Sequence, residues 1–309
     1  MINKERAIVR ILREISVECG VAYKSYAYDW MIKLTKNGES RIIFGYNFPQ
    51  NPATSAAVCT DKAAASALLA DCGVPCVAHR FFIRPSEFKY IGVDGNWVEL
   101  IGMLEREGEL VCKPNEGTGG GQVFRAGTVA ALENAVTQIF SSHRSMAACK
   151  YHNIRSEHRV ILLDGAALVA YEKKLPYVTG DGRSSIAALT AQKYPGYKDH
   201  LSGAGDIPAR GETAVVGWMH NLNRGASPEL LDLSDPLAKR LEKLASDAAS
   251  ACGVRFASVD IINAAAQPES EMMVLEINSG VMMEAFASVS NEFYNIAKNA
   301  YKNAVLKMW

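Results

Sequence analysis

Apolar and polar positions along this chain switch several times between helical and extended spacing. Residues 5–19 carry charged side chains interspersed among Ile, Val and Leu at helical intervals and predict an amphipathic helix stopped by Gly20. Short apolar runs at 21–28 and 41–46 predict a small α/β lead-in that ends in the Pro- and Asn-rich turn 47–52. The stretch TDKAAASALLADC, 60–72, predicts an alanine-rich helix with Thr60 or Asp61 as N-cap and Gly73 as its stop. Strand-like runs at 76–83 and 109–113 precede a glycine-rich loop. A helix over 128–140 then opens at Thr128, with Ala131, Leu132, Ala135, Val136 and Ile139 on one face. Strands are predicted at 146–151, 159–163 and 167–172. Residues 176–232 are polar, rich in Gly and Pro and weakly periodic, which predicts a long functional loop. A helix at 235–252, two strands between 254 and 278 and a helix near 291–307 close the chain, and no internal repeat is present.

The two late strands carry chemistry. Asp260 lies among Phe256, Val259, Ile261 and Ile262, while Glu276 and Asn278 flank Ile277 in a second apolar run. Side chains two apart on a strand share a face, so Glu276 and Asn278 can converge on one ion while Ile277 enters the core. Two carboxylates and an amide oxygen, with no Cys or His nearby, suit Mg²⁺ rather than zinc. The alternative is a chance acidic pair facing solvent at strand ends.

Composition narrows the partners. A net charge of zero provides no field for a polyanion, so nucleic acid is not expected. The longest apolar runs fall short of the ~18 residues that cross a bilayer, so no membrane is expected either. The first residues lack the pattern of a signal peptide. Seven cysteines, an odd number mostly in apolar contexts, point to reduced thiols and a cytoplasmic setting. Cys72 and Cys76 are close in sequence, but no second pair completes a zinc site, which leaves them a structural role.

The segment KPNEGTGGGQV, Lys113–Val123, follows an apolar strand and holds four glycines in the five positions 117–121. Such a loop can close its backbone N–H groups over phosphate oxygens, although a mobile surface turn has the same composition. It has neither the ending of a Walker loop nor dinucleotide spacing. Lys113 at a strand end can meet phosphate as a point charge. Lys62, at the positive end of a helix, is unfavourable unless an anion lies there or the side chain is simply solvated.

In order, the chain reads Lys at a helix start, Lys-Pro with a glycine loop, Glu157-x-Arg159, Asn221-Leu-x-x-Gly225, and Asp260…Glu276-x-Asn278. This order resembles the ATP-grasp superfamily of carboxylate–amine ligases. The nearest branch holds glutathione synthetases and the ATP-grasp domains of cyanophycin synthetase and bifunctional glutathione-synthesising enzymes. The segments DKAAASALLADCGVPC, VCKPNEGTGGGQV, the block around VTGDGRSSI, MHNLNRGAS and VRFASVDIIN…VLEINSG carry the resemblance, which runs from about residue 58 to 285.

The resemblance implies an α/β (α+β) ATP-grasp fold, two α/β subdomains gripping ATP behind a short α/β N-terminal lobe. Its parts would be a lobe at 1–57, one subdomain at 58–148 with the glycine-rich lid, and a second at 149–309 with the metal site and substrate loop. It implies that Lys62 and Lys113 hold ATP phosphates under a lid of Gly117, Thr118, Gly119, Gly120 and Gly121. Lys150, Tyr151 and His152 would form the adenine hinge, with Glu157 near the ribose or phosphates. Arg159 would face the transferring phosphate, and Asn221 and Arg224 the acyl phosphate and substrate carboxylate, with Arg183 as a second carboxylate cation. Asp260, Glu276 and Asn278 would bind two Mg²⁺ ions, or Mn²⁺ in their place.

Two departures stand out. Gly119–Gly121 lack the basic residue that relatives place in this loop. Gly217, Trp218, Met219 and His220 stand where an upstream arginine is usual, with Arg210, Arg224 or Lys174 as candidate substitutes. The implied activity joins an amino-acid or peptide carboxylate to an amine at the expense of ATP, through an acyl phosphate. The alternatives are a non-catalytic ATP-binding regulatory module and a phosphotransferase with His152, His158 or His220 as carrier; homodimerisation is left open.

Overall fold

The computed structural model describes residues 5–90, 96–117, 119–197, 201, 203–264 and 271–309. Helix α1 (Ala7–Glu18) buries the stripe Ile8, Ile11, Leu12 and Ile15. That stripe shares one core with Ile32, Leu34 and Ile43 of a three-stranded antiparallel sheet, β1 (Ala22–Tyr26), β2 (Met31–Lys36) and β3 (Glu39–Phe44). The apolar runs of the sequence locate the outer two strands and pass over β2, because Lys33, Thr35 and Lys36 interrupt its apolar positions.

The helix predicted at 60–72 is present as α3 (Lys62–Asp71) with Asp61 as its N-cap, and a further helix precedes it. Asp61 ends α2 (Ala53–Thr60) in an extended conformation and starts α3 (Lys62–Asp71), its carboxylate accepting from Ala64 N at 2.8 Å. The next sheet is antiparallel, in the order β4 (Arg80–Ile83), β7 (Ser145–Lys150), β5 (Leu110–Pro114), β6 (Phe124–Ala126). Helices α4 (Trp97–Glu107) and α5 (Val129–Phe140) share its core through Leu100, Leu104, Leu132, Ala135 and Ile139. Thr128 caps α5 as the sequence predicts, accepting from Ala131 N at 3.2 Å.

The largest sheet runs β12 (Ser227–Leu230), β9 (Ala166–Lys174), β8 (Ile154–Leu163), β13 (Phe256–Ala264), β14 (Met273–Asn278), all antiparallel. One face packs on α7 (Pro236–Cys252), the other on α1 and α9 (Asn291–Leu306). Covered on both faces, β13 is buried at all nine positions, which explains its nearly continuous apolar sequence.

Residues 176–232 are not a plain loop. They hold the hairpin β10 (Tyr177–Thr179) with β11 (Thr213–Val215) and helix α6 (Ile186–Lys193), around a small core of Val178, Ile186 and Val216. Elements this short offer too few positions for a periodic signal. A short helix, α8 (Glu284–Ala287), turns the Glu284 carboxylate onto the N-terminus of α1, accepting from Ala7 N at 2.6 Å and Ile8 N at 3.1 Å.

Asn51 joins the N-terminal lobe to the large sheet. Its Nδ2 donates to the carbonyls of Phe256 (2.6 Å) and Ser279 (3.2 Å), and its Oδ1 accepts from Arg255 N (2.8 Å) and Phe256 N (3.0 Å). That is the full hydrogen-bonding capacity of an amide side chain. All seven cysteines are free. Among the described residues no helix is long and apolar enough to cross a membrane.

Candidate active site

A cavity of about 660 Å³ opens between the four- and five-stranded sheets, with the N-terminal lobe as a third wall. It gathers residues from the other segments that carry the resemblance, but none from the block Val178–Ile186. Lys62, the first residue of α3, and Lys113, near the end of β5, are both buried at its edge. Lys62 Nζ donates to the carbonyls of Asn115 (3.4 Å) and Gly117 (2.5 Å) and lies 3.9 Å from Glu276 Oε1. Burial lowers its pKa below the usual lysine value; Glu276 opposes that shift and Lys113 adds to it. Two buried cations beside a helix N-terminus make a favourable seat for a polyanion.

Gly117 and Gly119–Gly121 line the cavity, while Thr118 lies outside the described residues. Gly120 has φ +73°, and a Cβ there would sit 2.4 Å from Asn221 Nδ2. Its carbonyl accepts from Arg224 Nη2 at 2.9 Å. The glycine loop therefore rests directly on the Asn-Leu-x-x-Gly turn, whose Asn221 Oδ1 accepts from Asn223 N at 2.9 Å. Arg224 reaches the lid, whereas Arg183 and Arg210 are exposed and outside the cavity, and Lys174 pairs with Glu172 and Glu229. Arg183 is thus corrected as a cavity cation: its turn is held by Asp181, which accepts from Arg183 N at 2.8 Å, away from the cavity.

Lys150, Tyr151 and His152, at the end of the β7 strand that pairs with the β5 strand of Lys113, also line the cavity, with Val77, Val111, Ile154, Ile262 and Leu275 as apolar neighbours. Tyr151 N donates to Glu109 O at 2.9 Å, which pins the strand end. The Lys150 ammonium pairs with Glu107 at 3.1 Å. Arg125 stacks 3.8 Å from the Tyr151 ring centroid, and Trp218 meets the same ring edge-on. Burial lowers the pKa of His152, with Lys150 adding to the shift.

Asp260 and Glu276 are direct partners across β13 and β14, and Asn278 pairs with Ser258 two positions on. All four line the cavity, so the three oxygen-bearing side chains share one wall, as period two requires. Hard oxygen donors on one wall fit Mg²⁺. Among the described residues no cluster of three or more His, Cys, Asp or Glu side chains is placed to hold a metal. The candidate set has only two carboxylates, with Asn278 as its third oxygen donor, and the Asp260 oxygens are engaged by cations. Arg159 donates to both of them (2.7 and 2.6 Å), and Lys173 Nζ lies 2.8 Å from Oδ1. Lys173 also holds Glu157 at 2.6 Å, so Glu157 belongs to this ion cluster rather than standing free for a ribose. Burial pushes the Asp260 carboxyl upward, and Arg159 and Lys173 overcome it, holding it below the usual carboxylate range. Burial likewise works against the Arg159 charge, and Asp260 more than restores it.

Lys173 is the residue that sequence reasoning misses. It shares strand parity with buried Tyr171, which is the one sequence signal that it points inward. Its carbonyl lies 2.5 Å from His220 Nδ1, linking the ion cluster to the turn that carries Asn221. His220 and His152 line the cavity; His158 does not.

No protein-family model matches the chain. It is 27% identical over 168 residues to the glutathione biosynthesis bifunctional protein GshAB of Lactiplantibacillus plantarum, a match covering 53% of this chain and 21% of that protein. A bifunctional glutathione synthetase from Pasteurella multocida superposes with a TM-score of 0.55 at 16% identity, over 95% of this chain and 44% of the other. A D-alanine–D-alanine ligase from Bacillus anthracis also gives 0.55, at 15% identity, over 84% and 71%. The chain thus spans about a fifth of the curated relative and less than half of the Pasteurella enzyme. Its fold is the one these ATP-grasp ligases share.

Proposed function

We propose that the chain is an ATP-dependent ligase that joins an amino-acid or peptide carboxylate to an amine. The observation that carries this reading is the convergence of Lys62, Lys113, the glycine loop, Arg159 and the Asp260–Glu276–Asn278 wall on a single cavity. A carboxylate resists amine attack because oxide would have to leave. Taking the γ-phosphoryl group of ATP converts it to an acyl phosphate, from which the amine displaces phosphate. Positioning and charge neutralisation supply most of the catalysis of such a transfer. Lys62 and Lys113 neutralise the phosphate chain, and Arg159 is placed to follow charge onto the transferring group. Asp260, Glu276 and Asn278 would hold Mg²⁺, which would supply further positive charge against the developing negative charge. Asn221 and Arg224 close the lid over the reacting centre and exclude water.

The test is ADP release from Mg·ATP with amino acids and dipeptides offered singly and in pairs. Release that requires both an acid and an amine, and that falls on the order of 100-fold in Glu276→Gln, is the expected result. Phosphate transfer onto His152 or His220 without an amine would replace this reading with a phosphotransferase. ATP binding without turnover under every pairing would leave only a binding module.

A further inference from the structure

The N-terminal sheet has two faces, and one of them remains open. Ile32, Leu34 and Ile43 face the core, so the alternate positions face outward. The register places Tyr26, Met31 and Phe44 in one outer row and Lys24, Lys33 and Ile42 in the next. Tyr26, Ile42 and Phe44 are 36, 50 and 54% exposed, a contiguous apolar surface of the kind that marks a binding site. On the strands of this face the charged residues are Lys24 and Lys33, both positive. Phe44 belongs to the first row and also lines the cavity, with Trp30 packed edge-on against it. The open face is therefore continuous with the candidate active site.

The turn joining β1 to β2 supplies a separate observation. Ala27, Tyr28 and Asp29 have φ of +50°, +54° and +63°, and Trp30 N donates to Ala27 O at 3.1 Å. A tight turn with two central left-handed residues strongly prefers Asn and Gly there. This chain instead has Tyr28, whose ring is wholly exposed, two residues before Trp30, which lines the cavity.

We propose that this outer face docks a peptide segment of the substrate, with an apolar residue against Tyr26, Met31 and Phe44 and a carboxylate against Lys24 and Lys33. The proposal rests on the ligase reading and adds the substrate class: a peptide longer than the part that reacts. Rows along a strand are about 7 Å apart, two residues of an extended chain. The carboxylate therefore falls about two residues beyond the one held by Phe44. A second copy of this chain is disfavoured on the same face, because two-fold docking sets Lys24 and Lys33 against each other. A lipid surface would engage the aromatic residues without reference to the cavity.

The test measures fluorescence anisotropy of two labelled peptides, fluorescein-Glu-Glu-Phe-Gly and fluorescein-Lys-Lys-Phe-Gly, with the intact protein in Mg·ADP. The acidic peptide should bind about tenfold tighter, with the preference shrinking as salt rises. Lys24→Glu/Lys33→Glu should invert that preference and leave Mg·ADP affinity unchanged, and Met31→Ser should weaken both peptides severalfold, because both carry the same Phe. Equal binding of both peptides, or no response to the charge reversal, overturns the proposal. So does sedimentation of wild type with phosphatidylserine vesicles that the charge reversal abolishes without any peptide effect, or a loss of dimer in the charge-reversed protein. Because peptide binding is read without turnover, its failure is distinct from failure of ADP release, which tests the ligase reading.

Discussion

Lys173→Met removes one cation from a buried cluster of two cations and two anions and keeps the length of the side chain. Arg159 still donates twice to Asp260, but Glu157 loses the ammonium 2.6 Å away. Breaking a buried ion pair from one side costs about 3–5 kcal/mol, and the retained Arg159–Asp260 fork places this case near the lower end. Urea unfolding followed by far-UV circular dichroism should therefore show a loss of about 3 kcal/mol. Adding Glu157→Gln removes the stranded charge, so the double variant should be more stable than Lys173→Met alone. Acid sensitivity provides an independent readout. Asp260 is held below the carboxylate range against its burial by Arg159 and Lys173, so it contributes stability above its unfolded pKa that is lost as pH falls through the folded value. Without Lys173 the folded value rises, and acid unfolding should begin at higher pH. A cost under about 1 kcal/mol, or a Glu157→Gln change that adds to the loss, would show that water rather than Lys173 satisfies these carboxylates.

Gly120→Ala should raise the nucleotide KM about tenfold, because it meets both a left-handed φ of +73° and Asn221 Nδ2 at 2.4 Å. Gly119→Ala has nearly the same φ, +71°, and nothing within 4 Å, so calorimetric ADP binding to the pair separates the clash from backbone strain; equal losses would refute the lid–turn contact. Lys62→Met should weaken ADP binding while its Tm is unchanged or higher, because a lysine whose pKa is lowered by burial is destabilised in its charged form at neutral pH. A fall in both Tm and affinity would make Lys62 a structural cation.

Much of this architecture is legible in the chain because burial imposes its period on sequence. The stripe of α5 and the Glu276-x-Asn278 pair on β14 each reflect a single face, and the buried run of β13 reflects cover on both. What escapes depends on partners far apart in sequence. Lys173 reads as one of two lysines at a strand end, and only the arrival of Glu157 on β8 and Asp260 on β13 makes its burial tolerable. Helix α4 has Leu100, Met103 and Leu104 at helical spacing and Asn96 as its cap, but a stripe of three residues is easily passed over. Helix α2 is passed over because its eight residues bury only Cys59 and show no apolar stripe. Arg183 is suggested by its place in the VTGDGRSSI block and by its charge, and neither encodes direction.

The four hydrogen bonds of Asn51 have a consequence for inheritance. They weld the lobe that presents Trp30 and Phe44 to the strand that presents Asp260, and to Ser279 just beyond Asn278. Any movement between the cavity walls should then belong to the four-stranded sheet with its glycine loop, against a fixed anvil. An N-terminal lobe transplanted from another protein of this fold would need an amide at this seam and a matching β13 entrance. Ligand preference in this scaffold should therefore drift by substitution on the lobe's surface rather than by exchange of the lobe.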